Sequence, residues 1–168
     1  MGVFIQSIKP TKRLWDIDAQ LTDEQWDSDP VAIYTLDFPP IKHLTKFPNG
    51  YWECEQPVSN AAYLSMTYSA YNRFRDAVCE PIHGDYEDYT ERFYNGHEPA
   101  DAPFAEFLNF ADNEGSFDYP IAQKLLKDFE DYRETIYPTL NTTHQQTYDT
   151  YTRILRECVA IQGVVHYT

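Results

Sequence analysis

The sequence predicts an α+β fold, with small N-terminal strands packed on a C-terminal layer of about four helices. Three observations predict it. Proline, Asn-Gly and short alternating runs punctuate the first half. Apolar residues recur at helical spacing through the second. And a chain of 168 residues, 42% apolar and 16% aromatic, carries enough core-forming material for one domain over 1–168.

The elements follow in order. Residues 3–9, VFIQSIK, alternate apolar and polar side chains, as a half-buried strand requires. Thr22 with Gln25 three residues on forms a capping box, so a short helix starts there, and Asp29-Pro30 stops it. Residues 31–37, VAIYTLD, read as a second strand. The following stretch cannot be regular, because Pro39, Pro40, Pro48 and Asn49-Gly50 interrupt it, and YWECEQ then looks extended. Ser69 can cap a helix that turns Tyr71, Phe74, Ala77 and Val78 inward and ends before Pro81. The acidic, aromatic stretch after His83 reads as a long loop with at most one helical turn. Phe104, Phe107, Leu108 and Ala111 return to helical spacing.

The clearest helix is 120–137. Pro120 suits a first turn, Asp118 can cap it, and Ile121, Leu125, Phe129, Tyr132 and Ile136 form one stripe. Lys124 with Asp128, and Lys127 with Asp131, make i,i+4 pairs on its wet face, and Pro138 ends it. Thr142 with Gln145 opens a last helix to about Ile161, with Gly163 as its C-cap. These two helices should form an antiparallel hairpin, and VVHYT can return as a terminal strand.

Charge narrows the function. Twenty-seven Asp and Glu against 13 Lys and Arg leave a net −14, a field that opposes direct binding to nucleic acid or an anionic membrane. A basic protein surface or a cation is attracted instead; plain solubility is the simpler use of the same charge. Cys54, Cys79 and Cys158 form no C-x-x-C, and no segment approaches the length of an apolar membrane span, so reduced thiols in a cytoplasmic protein are expected. No P-loop, Rossmann fingerprint or nucleophile elbow is present, and no cofactor is implied.

Two polar constellations carry the local chemistry. In FLNFADNEGSFDYP, Asn109, Asp112, Glu114 and Asp118 surround Gly115. Asp112 and Glu114 can hold a divalent cation or share acid/base work, although the spacing is not that of an EF-hand. They can equally be turn chemistry, with Gly115 supplying a positive φ and Asp118 a cap. In YSAYNRFRD, Asn72, Arg73, Arg75 and Asp76 crowd one helix. An Arg there can clamp a phosphate or carboxylate through its two parallel donors, or neutralise Asp112 or Glu114 internally. A third feature is the interleaving of Tyr86, Tyr89 and Tyr94 with Asp85, Glu87, Asp88 and Glu91, which suits a basic partner or a plain solvated loop.

Residues 68–78 and 103–132 resemble a group of bacterial and phage proteins with no known activity. Its members carry a Tyr-Ser-x-Tyr-Asn-x-Trp-Arg-like helix and a Pro-Phe-x-Glu-Leu-Ile-Asn-Phe-x-Asp-x-Glu-Gly segment. The chain matches at Asn72, Arg75, Glu106, Asn109, Asp112, Glu114 and Gly115, and departs with Phe74 for Trp and Leu108 for Ile. The resemblance implies that the two constellations belong together; the leading expectation is a binding protein of accessory or phage type.

Three functions stay open. The first is a non-enzymatic binding protein whose Asn72, Arg73, Arg75, Asn109, Asp112 and Glu114 hold a small anionic ligand. The second is an acidic interaction protein, or inhibitor, occupying the basic surface of a nucleic-acid-binding partner, as a phage protein countering a defence protein would. The third is a metal-assisted hydrolase using Asp112 and Glu114, with His83 or His97. All three bear on one expected contact, an Arg–carboxylate pair between 72–76 and 109–114.

Overall fold

In the computed structural model, which describes residues 2–35, 41–110 and 114–168, the N-terminal strand runs far beyond residue 9. Strand β1 spans Gly2–Trp15 and organises an antiparallel sheet. Helix α1 (Asp23–Trp26) follows, with the Thr22–Gln25 capping box formed. Then come β2 (Val31–Ile33), β3 (Gly50–Glu55), β4 (Tyr63–Thr67), α2 (Tyr68–His83), α3 (Tyr86–Tyr94) and α4 (Ala105–Leu108). Strand β5 (Gly115–Asp118) leads into α5 (Tyr119–Asp131), α6 (Arg133–Ile136), a 3₁₀ turn (Tyr137–Thr139), α7 (Thr142–Ile161) and β6 (Val164–Tyr167). The fold is α+β, as its sequence predicts. None of its described helices is long and apolar enough to cross a membrane.

The strand order is β2-β3-β1-β6-β5, with β4 also paired to β1. Because β1 is so long, β3 and β4 lie end to end along one of its edges: β3 against residues 9–15, β4 against residues 2–6. Register shifts after Pro10 and Arg13 bend β1 as it passes from one partner to the other, as bulges do. Helices cover one face of the sheet, where Tyr71, Phe74, Phe107, Phe129, Tyr151 and Tyr167 are all at most 1% exposed. The other face carries a smaller core of Ile8, Ile33, Trp52 and Val164, flanked by Leu44 and Phe47. Strands β5 and β6 are therefore buried on both faces. That two-sided burial brings three polar side chains inside: Ser116, Asp118 and His166.

Each departure from the sequence reading has a local cause. The strand expected over 31–37 is regular only over 31–33, and 36–40 lie outside the described residues. Helix α2 runs through Pro81 instead of stopping before it, because a proline in the last turn forfeits only one hydrogen bond. Its cap is Thr67, whose hydroxyl accepts from Ala70 N–H at 3.2 Å, and not Ser69. The expected loop after His83 contains the nine-residue α3, capped by Asp85, with Tyr89 and Phe93 four apart on its buried face. The helix expected around 104–111 is a single turn at 105–108; it opens on Phe104, held at φ 61°. Asp118 occupies the N-cap position of α5 without capping it. Its carboxylate instead accepts from the Thr45 and Lys46 backbone N–H groups, pinning the 41–47 segment over the sheet.

The stripe over 120–137 breaks at Tyr132, which leaves the helical region, yet Ile136 still lands inside. Asn141, one residue before Thr142, caps α7 through His144 N–H, and Gln162 rather than Gly163 takes the left-handed terminal conformation. Helices α5 and α7 pack as the expected antiparallel hairpin: Arg133 meets Asp149 and Glu130 meets Arg156, both at 2.8 Å, while Phe129 packs on Tyr148.

Two predictions follow from the sheet. A Cβ at Gly163 would stand 2.1 Å from the Ile8 carbonyl oxygen, so Gly163→Ala should destabilise the fold by about 2 kcal/mol or more, read from urea midpoints. His166, 8% exposed and hydrogen-bonded through Nδ1 to Ser116 Oγ at 2.9 Å, has its pKa lowered to about 4 by burial. A depressed folded-state histidine contributes stability above its unfolded pKa of about 6.5, and loses it as pH falls toward 4. That loss is at most about 3 kcal/mol, and His166→Gln should remove it from the difference between urea midpoints at pH 7 and pH 4.5.

Candidate functional site

The helix α2 residues and the 104–110 segment do meet, and Arg75 is the joint. Its side chain is 6% exposed. One terminal nitrogen donates to the Phe110 carbonyl and the other to Asn72 Oδ1, both at 2.8 Å. The guanidinium also lies 5.3 Å from the Tyr71 ring centroid and 5.4 Å from that of Tyr86. Tyr86 in turn donates its hydroxyl to the Leu108 carbonyl at 2.7 Å. Two protein carbonyls in an irregular segment are thereby satisfied by α2 and α3, which is what an otherwise unpaired buried backbone requires.

The remaining sequence-selected residues divide. Asn72 is half-buried on Arg75, and Arg73 is exposed. Asn109 is buried; its amide donates to the Ala105 carbonyl at 2.8 Å, and its side chain opposes the rise that burial gives the Tyr89 phenol. Glu114 is exposed and accepts from the Tyr34 hydroxyl; burial and then this carboxylate push Tyr34 up to about 12. Among the described residues no ion pair joins Arg73 or Arg75 to Glu114. The Asp112 part of that expectation, like Asp112 itself, lies outside the described residues. Nor do the described residues gather three or more His, Cys, Asp or Glu side chains as a metal would need.

Beneath this joint sits a cation that the sequence placed on the wet face of α5. Lys124 Nζ lies 2.7 Å from Glu106 Oε2 and 2.8 Å from Asp128 Oδ2, and donates to the Ala102 carbonyl at 2.7 Å. Asp128 also accepts from Phe104 N–H at 2.9 Å, which holds that residue in its left-handed conformation. Burial raises the Glu106 carboxyl and Lys124 pulls it back. His83 is equally structural: its ring stacks on Tyr89 at 4.2 Å and its Nε2 donates to the Pro103 carbonyl at 2.7 Å. His97 stays exposed.

The open feature of the region lies on the outer side of the joint. A depression of about 340 Å³ is lined by Asp76, Glu80, Gly84, Asp85, Tyr86 and Glu87. All four of its carboxylates are exposed, and among the described residues none forms an ion pair, unlike Glu98, Glu106, Asp128 and Glu157 elsewhere. Partial burial lifts the Asp76 carboxyl above its ordinary value; Arg75 behind it opposes that shift and Asp85 adds to it. The sequence signal for this feature was the acidic, Tyr-rich run 85–91. Glu80 escaped notice, because only the unexpected continuation of α2 through Pro81 brings it beside Asp85. No family model, curated protein or solved structure matches the chain.

Arg75→Leu should cost about 2–4 kcal/mol in urea unfolding, since it leaves the Phe110 carbonyl buried without its donor. Lys124→Met should cost a similar amount or more, about 3–5 kcal/mol, by leaving Glu106 and Asp128 uncompensated, and should raise the Glu106 pKa further by NMR titration.

Proposed function

We propose that this protein is an acidic interaction protein whose α2–α3 corner receives Lys or Arg side chains from the basic surface of a partner. The observation that carries this reading is the depression at Asp76, Glu80, Asp85 and Glu87, whose carboxylates form no ion pair among the described residues. Like charges held together without a counterion repel, and an incoming ammonium or guanidinium relieves that repulsion. Asp88 and Glu91 extend the acidic ridge along α3, and Tyr86 and Tyr94 supply aromatic surface beside it, a combination favoured at interfaces. A net charge of −14 would steer such an encounter from a distance. A surface shaped to hold nucleic-acid phosphates is the partner that fits this chemistry.

The anionic-ligand reading has weaker support, because the Arg75 donors are directed at Phe110 and Asn72, and Arg73 is left as the exposed cation. The hydrolase reading needs Asp112 and has no further observation in its favour.

The test uses a lysine-rich peptide as the probe. Replacing Asp85, Glu87, Asp88 and Glu91 by their amides keeps the Asp85 cap, since Asn caps as well. Binding by calorimetry should weaken at least tenfold, and the slope of affinity against salt should shrink. Neutralising Asp18, Asp23, Glu24 and Asp27, which are also exposed, should change binding little. Equal losses from the two sets would mean that net charge alone is responsible, and would remove the α2–α3 site. Because Asp76 protonates earlier than an ordinary aspartate, binding should also fall as the solution is made moderately acidic.

A further inference from the structure

Strand β4 is an edge of the sheet, with no strand beyond it among the described residues. The direction of its hydrogen-bonding groups follows from the pleat. Phe4 exchanges both backbone hydrogen bonds with Thr168, so residues 4, 6 and 8 of β1 point toward β6, and residues 3 and 5 point toward β4. Their partners are Met66 and Leu64. Tyr63, Ser65 and Thr67 must therefore direct their backbone groups outward, and among the described residues no strand receives those of Tyr63 and Ser65.

The other sheet margins are guarded and this one is not. The outer edge of β5 is closed by Tyr34 and His43, whose carbonyls accept from Ser116 N–H at 2.7 Å and Asp118 N–H at 3.0 Å. The β2 edge is three residues long and follows Asp29-Pro30. In β4, with its regular five-residue register, there is no charge, proline or bulge, the usual devices against edge pairing. Charge singles out the same place. Residues 56–72 contain no Asp, Glu, Lys or Arg, in a chain where such residues make up 24% of the total and the net charge is −14. Two copies of this molecule repel each other over most of their surfaces, but not here.

We propose that β4 is a dimerisation edge, to which a second copy adds its own β4 antiparallel about a two-fold axis through Ser65. The register is self-complementary. Ser65 stands opposite Ser65 of the second copy in a hydrogen-bonded pair, and Tyr63 stands opposite Thr67, whose N–H points outward while its carbonyl opens α2. Tyr63 is 60% exposed and stacks on Phe4 at 5.5 Å, where the second copy would cover it.

The experiment measures the mass of the full chain by sedimentation equilibrium from micromolar to millimolar concentration. Wild type should be dimeric in the upper part of that range and should dimerise more tightly as salt is added, because salt screens the repulsion. Ser65→Lys and Ser65→Glu each put like charges face to face across the axis and should weaken the dimer roughly 100-fold. An equimolar mixture of the two should restore a heterodimer. Ser65→Pro removes the outward N–H without touching a bond to β1, and should be a folded monomer by circular dichroism. A wild type that stays monomeric at millimolar concentration would overturn the proposal. So would a dimer indifferent to all three substitutions, or a Lys/Glu mixture that fails to associate.

Discussion

The rest of the structure hangs on the pairing of β1 along both of its edges. One strand of 14 residues is in register with β3 and β4 on one side and β6 on the other, and no other element touches so much of the sheet. Its length forces β3 and β4 into a single file along one edge, with residues 56–62 looping out between them. That loop is tied back by α7, through Glu157 on Ala62 N–H and Arg153 on the Asn60 carbonyl. The bend where β1 changes partners opens the second face of the sheet, and the small core of Ile8, Ile33, Trp52 and Val164 fills it. Burial of β5 and β6 on both faces is a direct result.

Buried polar groups then act as fasteners between irregular segments and regular ones. Asp118 holds the 41–47 segment, Lys124 holds 102–106, and Arg75 with Tyr86 holds 108–110. In each case a charged or hydroxyl group on a helix or strand satisfies backbone that has no ladder of its own. The same economy runs through the helical core, where the Tyr167 hydroxyl bridges those of Tyr71 and Tyr151 at 3.0 and 2.6 Å. Three large side chains are thereby fully buried without a stranded oxygen, and burial pushes the Tyr71 phenol up to about 12. Charges used in this way are withdrawn from the surface. The carboxylates of the acidic ridge on α2 and α3 stay outside.

The sequence made the hairpin of α5 and α7 legible because its stripe is strictly periodic and its caps are local. Strands β4 and β5 were not legible. YLSMT alternates, but only over five residues next to a helix start, and GSFD is a strand only because two layers of tertiary structure enclose it. The helix α3 was hidden by its own acidity: Tyr89 and Phe93 show the four-residue spacing, but the glycines on either side and the carboxylates between them read as loop. For the candidate site, the sequence chose side chains by type and could not tell inside from outside. Arg75 and Asn109 were found and proved to be interior, Arg73 and Glu114 exterior, while Lys124 makes its expected pair with Asp128 and, half-buried, reaches Glu106 as well. Burial is a property of the assembled layers, so no local pattern could have revealed it.

The pairing of β1 with β6 has a consequence for biosynthesis. Ile5 lies opposite Tyr167, so the middle of the sheet cannot close before β6 has been synthesised. Local contacts such as the α5–α7 hairpin can form early, whereas the central pairing belongs to the slow, high-contact-order part of folding. Until β6 has been synthesised, the β6 edge of β1 has no partner, and the growing chain carries that edge exposed. Such a chain is most open to misassociation in that interval, when β1 presents a template edge and nothing of its own fills it.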